Sequence, residues 1–321
     1  MFTIAVAGAG GMGRTHLNNL QKMADVRIDA ICDPNPAVAA LAEKIHACYY
    51  DDFSQMLQKT AADIVMVFTP TFLHCKQIEA VLCSGRHCIA EKPLCLSSEQ
   101  AKMLFDLAQE LKLHLYVAQV LQFNREYQLL SQIIQSGRYG RVIDAYFCRL
   151  TEKPKWQTGN WLFDREKSGL IPYDLHIHEL DFIVSQFGKP RRAERQTSAQ
   201  GNDQREHYRF LYSYDQMTVC AEASWYNAAL PFTQGFRVYF ERAVVALENS
   251  TVTVYEAGAQ AGQVIMTMED SEDTTEINVA SPLPYQKEME HFFQCIREGR
   301  SSEIVKAENV IAVLETLEEI L

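Results

Sequence analysis

The chain opens with a short apolar run, Thr3–Ala7, that ends at Gly8. Gly13–Met23 follows with apolar residues at helical spacing. Val26–Cys32 is strand-like until Asp33-Pro34-Asn35-Pro36 breaks it. The alternation continues through a helix at Ala37–His46 and an unbroken apolar run at Ile64–Phe68, the mark of a strand covered on both faces. Leu73–Ser84 reads as a helix stopped by Gly85, and His87–Ala90 as a strand. Ser97-Ser98-Glu99-Gln100 caps a helix running to Lys112, and His114–Ala118 is a further strand. Strand–helix alternation of this kind predicts a doubly wound parallel sheet.

The pattern changes near Gln119. A helix at Tyr127–Gln135 stops at Ser136-Gly137. Closely spaced β-rich runs follow at Val142–Leu150, His207–Tyr214, Thr218–Trp225, Phe236–Phe240, Val244–Glu248, Thr251–Glu256, Gln263–Met268 and Thr275–Val279. Strands with few helices between them predict a large, open, mostly antiparallel sheet. Two helical segments, Tyr285–Glu298 and Lys306–Leu321, close the chain. The expectation is an α/β protein of two domains, residues 1–120 and 121–321, which suits a length of 321 residues.

Composition narrows the function classes. Hydrophobic residues at 47% and charged residues at 22% are those of a globular protein. A formal net charge of −11, with no basic stripe, argues against nucleic acid or an anionic membrane as partner. Nine cysteines, odd in number and without a C-x-x-C pair, fit reduced thiols in a cytoplasmic protein. The N-terminus lacks a basic region before its apolar stretch, and no run is long enough to span a bilayer.

The chemistry begins at Gly8-Ala9-Gly10-Gly11-Met12-Gly13, a G-x-G-x-x-G set between a strand and a helix. Gly8 permits the tight turn, Gly10 admits a pyrophosphate to the backbone, and Gly13 lets the helix pack on the strand. Gly11 and Met12 supply N–H groups at the helix start. Asp33 follows 20 residues after Gly13, where a carboxylate accepts ribose hydroxyls and repels a 2′-phosphate. NAD is therefore expected over NADP. Two more clusters fall at strand ends, Thr69-Pro70 with His74, and Glu91-Lys92-Pro93. A lysine so placed can hold a substrate oxygen and stabilise negative charge on it.

Taken together, these segments resemble the glucose–fructose oxidoreductase / inositol dehydrogenase / MocA family. The resemblance rests on G-x-G-x-x-G with Arg14 and His16, T-P-x-x-x-H, and G-x-H-x-x-x-E-K-P at Gly85–Pro93. It continues in Gly159-Asn160-Trp161, Ser168-Gly169 and Asp174-Leu175-His176-Ile177-His178-Glu179-Leu180-Asp181. It implies a Rossmann domain joined to an α/β domain. It also implies NAD(P)-dependent hydride transfer at a secondary hydroxyl of a sugar, glycoside or cyclitol, and pairing of sheet faces in a homodimer or homotetramer. Lys92, Asp174 and His178 are the catalytic residues it implies, with His178 as base and Pro93 fixing the loop as a cis bond. Cofactor contacts fall to Gly8, Gly10, Gly11, Met12, Gly13, Asp33, Thr69, Pro70, His74, Glu91 and Lys92. Substrate contacts fall to Lys92, Gln122, Trp161, Asp174 and His178, with further specificity from loops between Trp156 and Leu170.

The sequence departs from the family pattern at two places. His176 stands where the family has glycine, so Asp174, His176 and His178 would clamp a metal only if the segment were extended; on a helix Asp174 and His178 share a face and His176 points elsewhere. No metal is expected. Near the junction, Gln122 and Arg125 replace the Arg and Pro of an Arg-aromatic-x-Pro segment. Gln122 hydrogen-bonds a hydroxyl but cannot pair with an anion, which favours a neutral polyol or glycoside. The rival readings are reduction of a carbonyl, a retained-NAD sugar enzyme working by epimerisation or 3-keto glycoside chemistry, and a non-catalytic NAD-binding regulator. The acidic run Glu269–Asp273 reads as a solvated turn.

Overall fold

The computed structural model describes residues 1–155, 159–198, 206–267 and 283–321. The expected strand Thr275–Val279, the acidic run at 269–273 and Trp156 lie outside the described residues. The chain divides into two compact units. One holds residues 1–119 with the described parts of 156–168 and 273–311. The other holds residues 120–155, 169–272 in its described parts, and 312–321.

In chain order the first elements are β1 (Phe2–Ala7), α1 (Gly11–Leu20), β2 (Val26–Cys32), α2 (Val38–Lys44), β3 (Cys48–Tyr50) and α3 (Phe53–Lys59). They are followed by β4 (Ile64–Val67), α4 (Thr71–Cys83), β5 (His87–Glu91), α5 (Ser98–Glu110) and β6 (Leu115–Ala118). The six strands form one parallel sheet of order β3-β2-β1-β4-β5-β6. The order reverses between β1 and β4, the switch point where such sheets bind ligands at their carboxyl edge. Every residue of β4 is fully buried, as its unbroken apolar run requires. Ile64→Ala there should cost about 2–5 kcal/mol.

β3 and α3 had no strong signal in the hydrophobic pattern. β3 is a three-residue edge strand. Asp52 starts α3 by accepting the Gln55 N–H at 2.8 Å.

The chain continues through α6 (Arg125–Ser136), β7 (Val142–Glu152), the single turn α7 (Arg165–Ser168), a π-helical turn (Pro172–His176) and α8 (Ile177–Phe187). Then come β8 (Arg192–Thr197), β9 (Glu206–Ser213), β10 (Thr218–Tyr226), β11 (Thr233–Phe240), β12 (Ala243–Glu248), β13 (Thr251–Glu256) and β14 (Gln263–Thr267). Helices α9 (Leu283–Glu298) and α10 (Ala307–Ile320) end the chain. The second sheet has eight strands in the order β14-β13-β12-β11-β7-β10-β9-β8. All its pairings are antiparallel except β7 with β10. One face carries Phe147, Phe210, Tyr212, Val219, Ala221, Phe236 and Val238, all buried. Leu211, Tyr239 and Tyr255 alternate out of step with these and are exposed. β8 escaped the pattern because Arg-Ala-Glu-Arg-Gln-Thr is polar, as befits an edge.

Candidate functional site

In the first unit the glycine loop has the form its spacing predicts. Gly8 takes φ +92°, and a Cβ there would lie 2.5 Å from the Phe68 carbonyl oxygen at the end of β4. A Cβ on Gly13 would lie 2.1 Å from the Gly8 carbonyl oxygen, so only glycine lets α1 start this close to the loop. Gly10 is different. Its φ is −71° and nothing lies within 4 Å of where a Cβ would be. Neither conformation nor packing requires glycine at Gly10, so the space beside it is available to a ligand. The N-terminus of α1 carries no side-chain cap and no acidic residue in its first turn. It is left open to an anion. These features fit a dinucleotide pyrophosphate over Gly10, Gly11, Met12 and Gly13.

Asp33 follows β2 with its carboxylate turned toward the loop. Oδ2 accepts the Ala9 N–H and Oδ1 the Asn35 N–H, each at 2.8 Å. Tyr49 donates to the Asp33 carbonyl at 3.0 Å. The carboxylate is thus held by backbone, and each oxygen retains a lone pair for a ribose hydroxyl.

The ends of β4 and β5 carry the remaining residues assigned to this unit. Thr69 is half-buried and donates through Oγ1 to Gln77 at 2.6 Å, while Pro70 leads into α4. His74 is buried, with Nε2 2.7 Å from the Thr69 carbonyl and Nδ1 2.9 Å from the Pro93 carbonyl. Burial holds its pKa below the usual imidazole value, against the pull of these carbonyls and of Glu91. Glu91 is buried. Its Oε1 accepts from His16 Nε2 at 2.8 Å and its Oε2 from the Lys92 N–H at 3.0 Å. The Lys92–Pro93 peptide is cis, and Lys92 itself is half-buried. Trp161, in a 3-10 turn reached through left-handed Gly159 and Asn160, lies with its ring 6.4 Å from that of Phe72.

In the second unit, the segment around Asp174 and His178 is helical, a π turn running into α8. It is not extended, so the three alternate residues Asp174, His176 and His178 do not form a clamp. From 168 to 184 every residue is buried except Asp174 and His178. Those two reach solvent one turn apart, while their neighbours anchor the helix. His176 stacks on Phe210 at 3.8 Å and shares a 2.6 Å hydrogen bond with the Tyr212 hydroxyl. Burial, helped by the Arg149 charge, pushes the His176 pKa down to about 3, so the ring is neutral at physiological pH.

Glu179 is fully buried against Arg149 of β7, whose Nε donates to both carboxylate oxygens at 2.8 and 3.0 Å. Such a pair adds little net stability, and it ties α8 to β7 by two hydrogen bonds. Gln122 donates to Asp181 Oδ2 at 2.8 Å and accepts from the Ser185 hydroxyl at 3.3 Å. Its amide is thus engaged within its own unit. Burial pushes the Asp181 carboxyl up to about 7, against the Gln122 hydrogen bond.

The partners Arg149 and Tyr212 had no signal in the sequence, since each lies 30 or more residues from the group it holds. Among the described residues, the cluster closest to a metal-ligand set is His291, Cys295 and Glu303, with ligand atoms within 4.8 Å of one another. Ser302 engages His291 and Arg300 engages Glu303, so the cluster is internally satisfied. No described helix is long and apolar enough to cross a membrane.

The sequence matches, over residues 2–119, the family described as oxidoreductases with an NAD-binding Rossmann fold. Over residues 127–246 it matches the GFO/IDH/MocA C-terminal domain. An oxidoreductase of Streptococcus pneumoniae serotype 4 is 27% identical over 224 residues, covering 70% of this chain and 60% of that protein. Inositol 2-dehydrogenase of Rhizobium meliloti is 26% identical over 174 residues, covering 54% of this chain and 51% of that protein. The chain thus spans about half the length of the curated relatives it matches. A solved structure of levoglucosan dehydrogenase in complex with NADH aligns with a TM-score of 0.85 at 17% identity, covering 99% of this chain and 95% of that one. Likeness at that identity is likeness of fold.

Proposed function

The chain belongs to the Gfo/Idh/MocA family of oxidoreductases with an NAD-binding Rossmann domain, and from that premise we propose that it oxidises a secondary hydroxyl of a sugar, glycoside or cyclitol. The observation that carries the reading is that Asp174 and His178 alone are only half-buried along an otherwise buried run of seventeen residues, 168 to 184. The buried polar groups of this run, His176, Glu179 and Asp181, each have a partner inside the unit, and packing gives no such reason to keep a carboxylate and an imidazole one turn apart within reach of solvent. Proton transfer supplies a chemical one.

NAD, when bound, supplies the hydride acceptor. It would be held by the glycine loop, the N-terminus of α1 and Asp33. In the proposed roles, His178 takes the hydroxyl proton and Asp174 orients the hydroxyl or the imidazole. Lys92 donates to the oxygen as negative charge develops on it. Thr69, Pro70 and Trp161 belong to the same reading as walls of the reaction space. Asp33 supports NAD over NADP, because a second negative charge beside its carboxylate is repelled. Gln122 in place of the family's Arg supports a neutral substrate, since the position offers no cation to a carboxylate or phosphate.

Incubation of the purified protein with NAD⁺ and a panel of inositols, aldoses and glycosides tests the reading by NADH absorbance. One substrate class is expected to respond. Lys92→Ala and His178→Ala should each lower turnover by about 10²-fold or more while NAD still binds. Undiminished turnover in both variants removes these residues from the mechanism. We also propose a homodimer or homotetramer formed through the sheet face that exposes Leu211, Tyr239 and Tyr255. Light scattering of the wild type and of Tyr239→Glu checks it; a monomeric wild type refutes it.

A further inference from the structure

Residues 91–93 are held from two directions. The Lys92 N–H is bound by Glu91 Oε2 at 3.0 Å, and the Pro93 carbonyl lies 2.9 Å from His74 Nδ1. Each of these side chains has a second attachment. Glu91 Oε1 takes the Nε2 hydrogen of His16, which lies on α1 directly behind the glycine loop. The other nitrogen of His16, buried without a partner among the described residues, fits that tautomer. The His16 ring also stacks on Phe68 at 4.2 Å, where β4 ends. His74 Nε2 lies 2.7 Å from the carbonyl of Thr69, the next residue; the neutral ring has a single N–H to give to one of these two carbonyls, and it packs against both. Two imidazoles and one carboxylate thus connect the glycine-loop helix, the end of β4, the start of α4 and the loop carrying Lys92. All three are at least 94% buried.

We infer that His74 and the His16–Glu91 pair are positioning residues that brace Lys92 against the dinucleotide cradle. The inference rests on the role given to Lys92 above. The physical case lies in the choice of residue type. A buried His–Glu pair pays desolvation for two polar groups, and apolar side chains of similar volume would hold the fold at least as well. Polar groups add direction: each hydrogen bond here ends on a backbone atom of residue 92 or 93, or on a group that does. Glu91 turns one oxygen back to its neighbour's N–H, which fixes where the Lys92 side chain leaves the chain. A lysine displaced by about 1 Å loses on the order of 10²-fold in rate through misplacement alone.

The first test needs neither cofactor nor substrate. Reductive methylation with ¹³C-formaldehyde gives each lysine a methyl signal, and the Lys92 signal is the one missing from Lys92→Arg. In Glu91→Leu and in His74→Leu the Lys92 signal is expected to shift and broaden while signals of distant lysines such as Lys189 stay in place. In Glu91→Gln and His74→Gln, which each keep part of the hydrogen bonding, the shift is smaller but resolved, and these two decide the matter should the leucine variants not fold. An unmoved Lys92 signal in the folded variants overturns the brace.

The second test uses a substrate found by the panel. The leucine variants should lose about 10²-fold in kcat, a larger factor than any rise in KM for NAD, and the glutamine variants should recover at least about tenfold of the kcat loss. Loss of turnover in Lys92→Ala alongside full kcat in both leucine variants overturns the brace but keeps the dehydrogenase reading. Full turnover in Lys92→Ala overturns that reading instead.

Discussion

His176 offers the sharpest quantitative check on the second unit. Its pKa lies at about 3 in the folded chain, against an ordinary value of 6.5. Below pH 6.5 the unfolded chain takes up a proton that the folded chain refuses, so acid favours unfolding. The stabilisation from the neutral ring is complete above pH 6.5 and is lost as the pH falls toward 3. Each pH unit inside that window is worth about 1.4 kcal/mol, so between pH 7.5 and 5.0 the loss from this one group is about 2 kcal/mol.

The matching variant is His176→Phe with Tyr212→Phe. It keeps an aromatic ring against Phe210 and removes both ends of the 2.6 Å hydrogen bond. Deleting both partners of a buried bond is nearly neutral, whereas His176→Phe alone strands the Tyr212 hydroxyl and costs about 1–3 kcal/mol. Urea unfolding at pH 7.5 and 5.0 is the assay. The double variant should match the wild type at pH 7.5 and exceed it by about 2 kcal/mol at pH 5.0. Equal losses in the two proteins between these pH values would show that the imidazole is not held neutral by burial, and the reasoning would fail.

Three further outcomes are expected. Gly10→Ala should change thermal stability by less than about 1 kcal/mol while weakening NAD binding at least about tenfold, because its Cβ meets no protein atom; Gly13→Ala should lower both, its Cβ lying against the Gly8 carbonyl. Calorimetric unfolding and NAD titration of the two variants check the contrast. Asp33→Ala should narrow the ratio of NAD to NADP affinity by about tenfold or more, read from paired titrations, since the repelling carboxylate is gone. Asp181 has its folded carboxyl pushed up to about 7, above the ordinary 3.8. The folded chain therefore keeps a proton that the unfolded chain releases, and stability falls as the pH rises from about 4 to 7. Asp181→Asn should be more stable than the wild type at pH 8, by at most about 4 kcal/mol, with the gap closing near pH 4; a constant gap in urea unfolding would refute the assignment.

Local spacing made much of this protein legible from sequence. The apolar runs placed β1, β2, β4, β5 and β6 within a residue or two of where they lie. A strand buried on both faces must be apolar throughout, and a helix must repeat near every fourth residue. The glycine loop was equally readable, because its requirement is local: at Gly8 a positive φ, and at Gly8 and Gly13 close backbone contacts. The elements that escaped were those with little to bury. β3 has three residues, and β8 is a polar edge strand.

Tertiary structure decided what the polar residues are for. Nothing near His16 in the sequence shows that its hydrogen bond goes to Glu91, 75 residues away. A helical reading of the motif around Asp174 set His178 apart from His176 but could not name what holds His176. Folding stacks His176 on Phe210 and leaves His178 half-buried. Gln122 presented a free amide on paper, and the fold engages it with Asp181 and Ser185. Periodicity records which face of an element is dry, since burial selects residue type one position at a time. A buried hydrogen bond depends on two positions brought together by everything between them, so its partner is known only once the chain has folded.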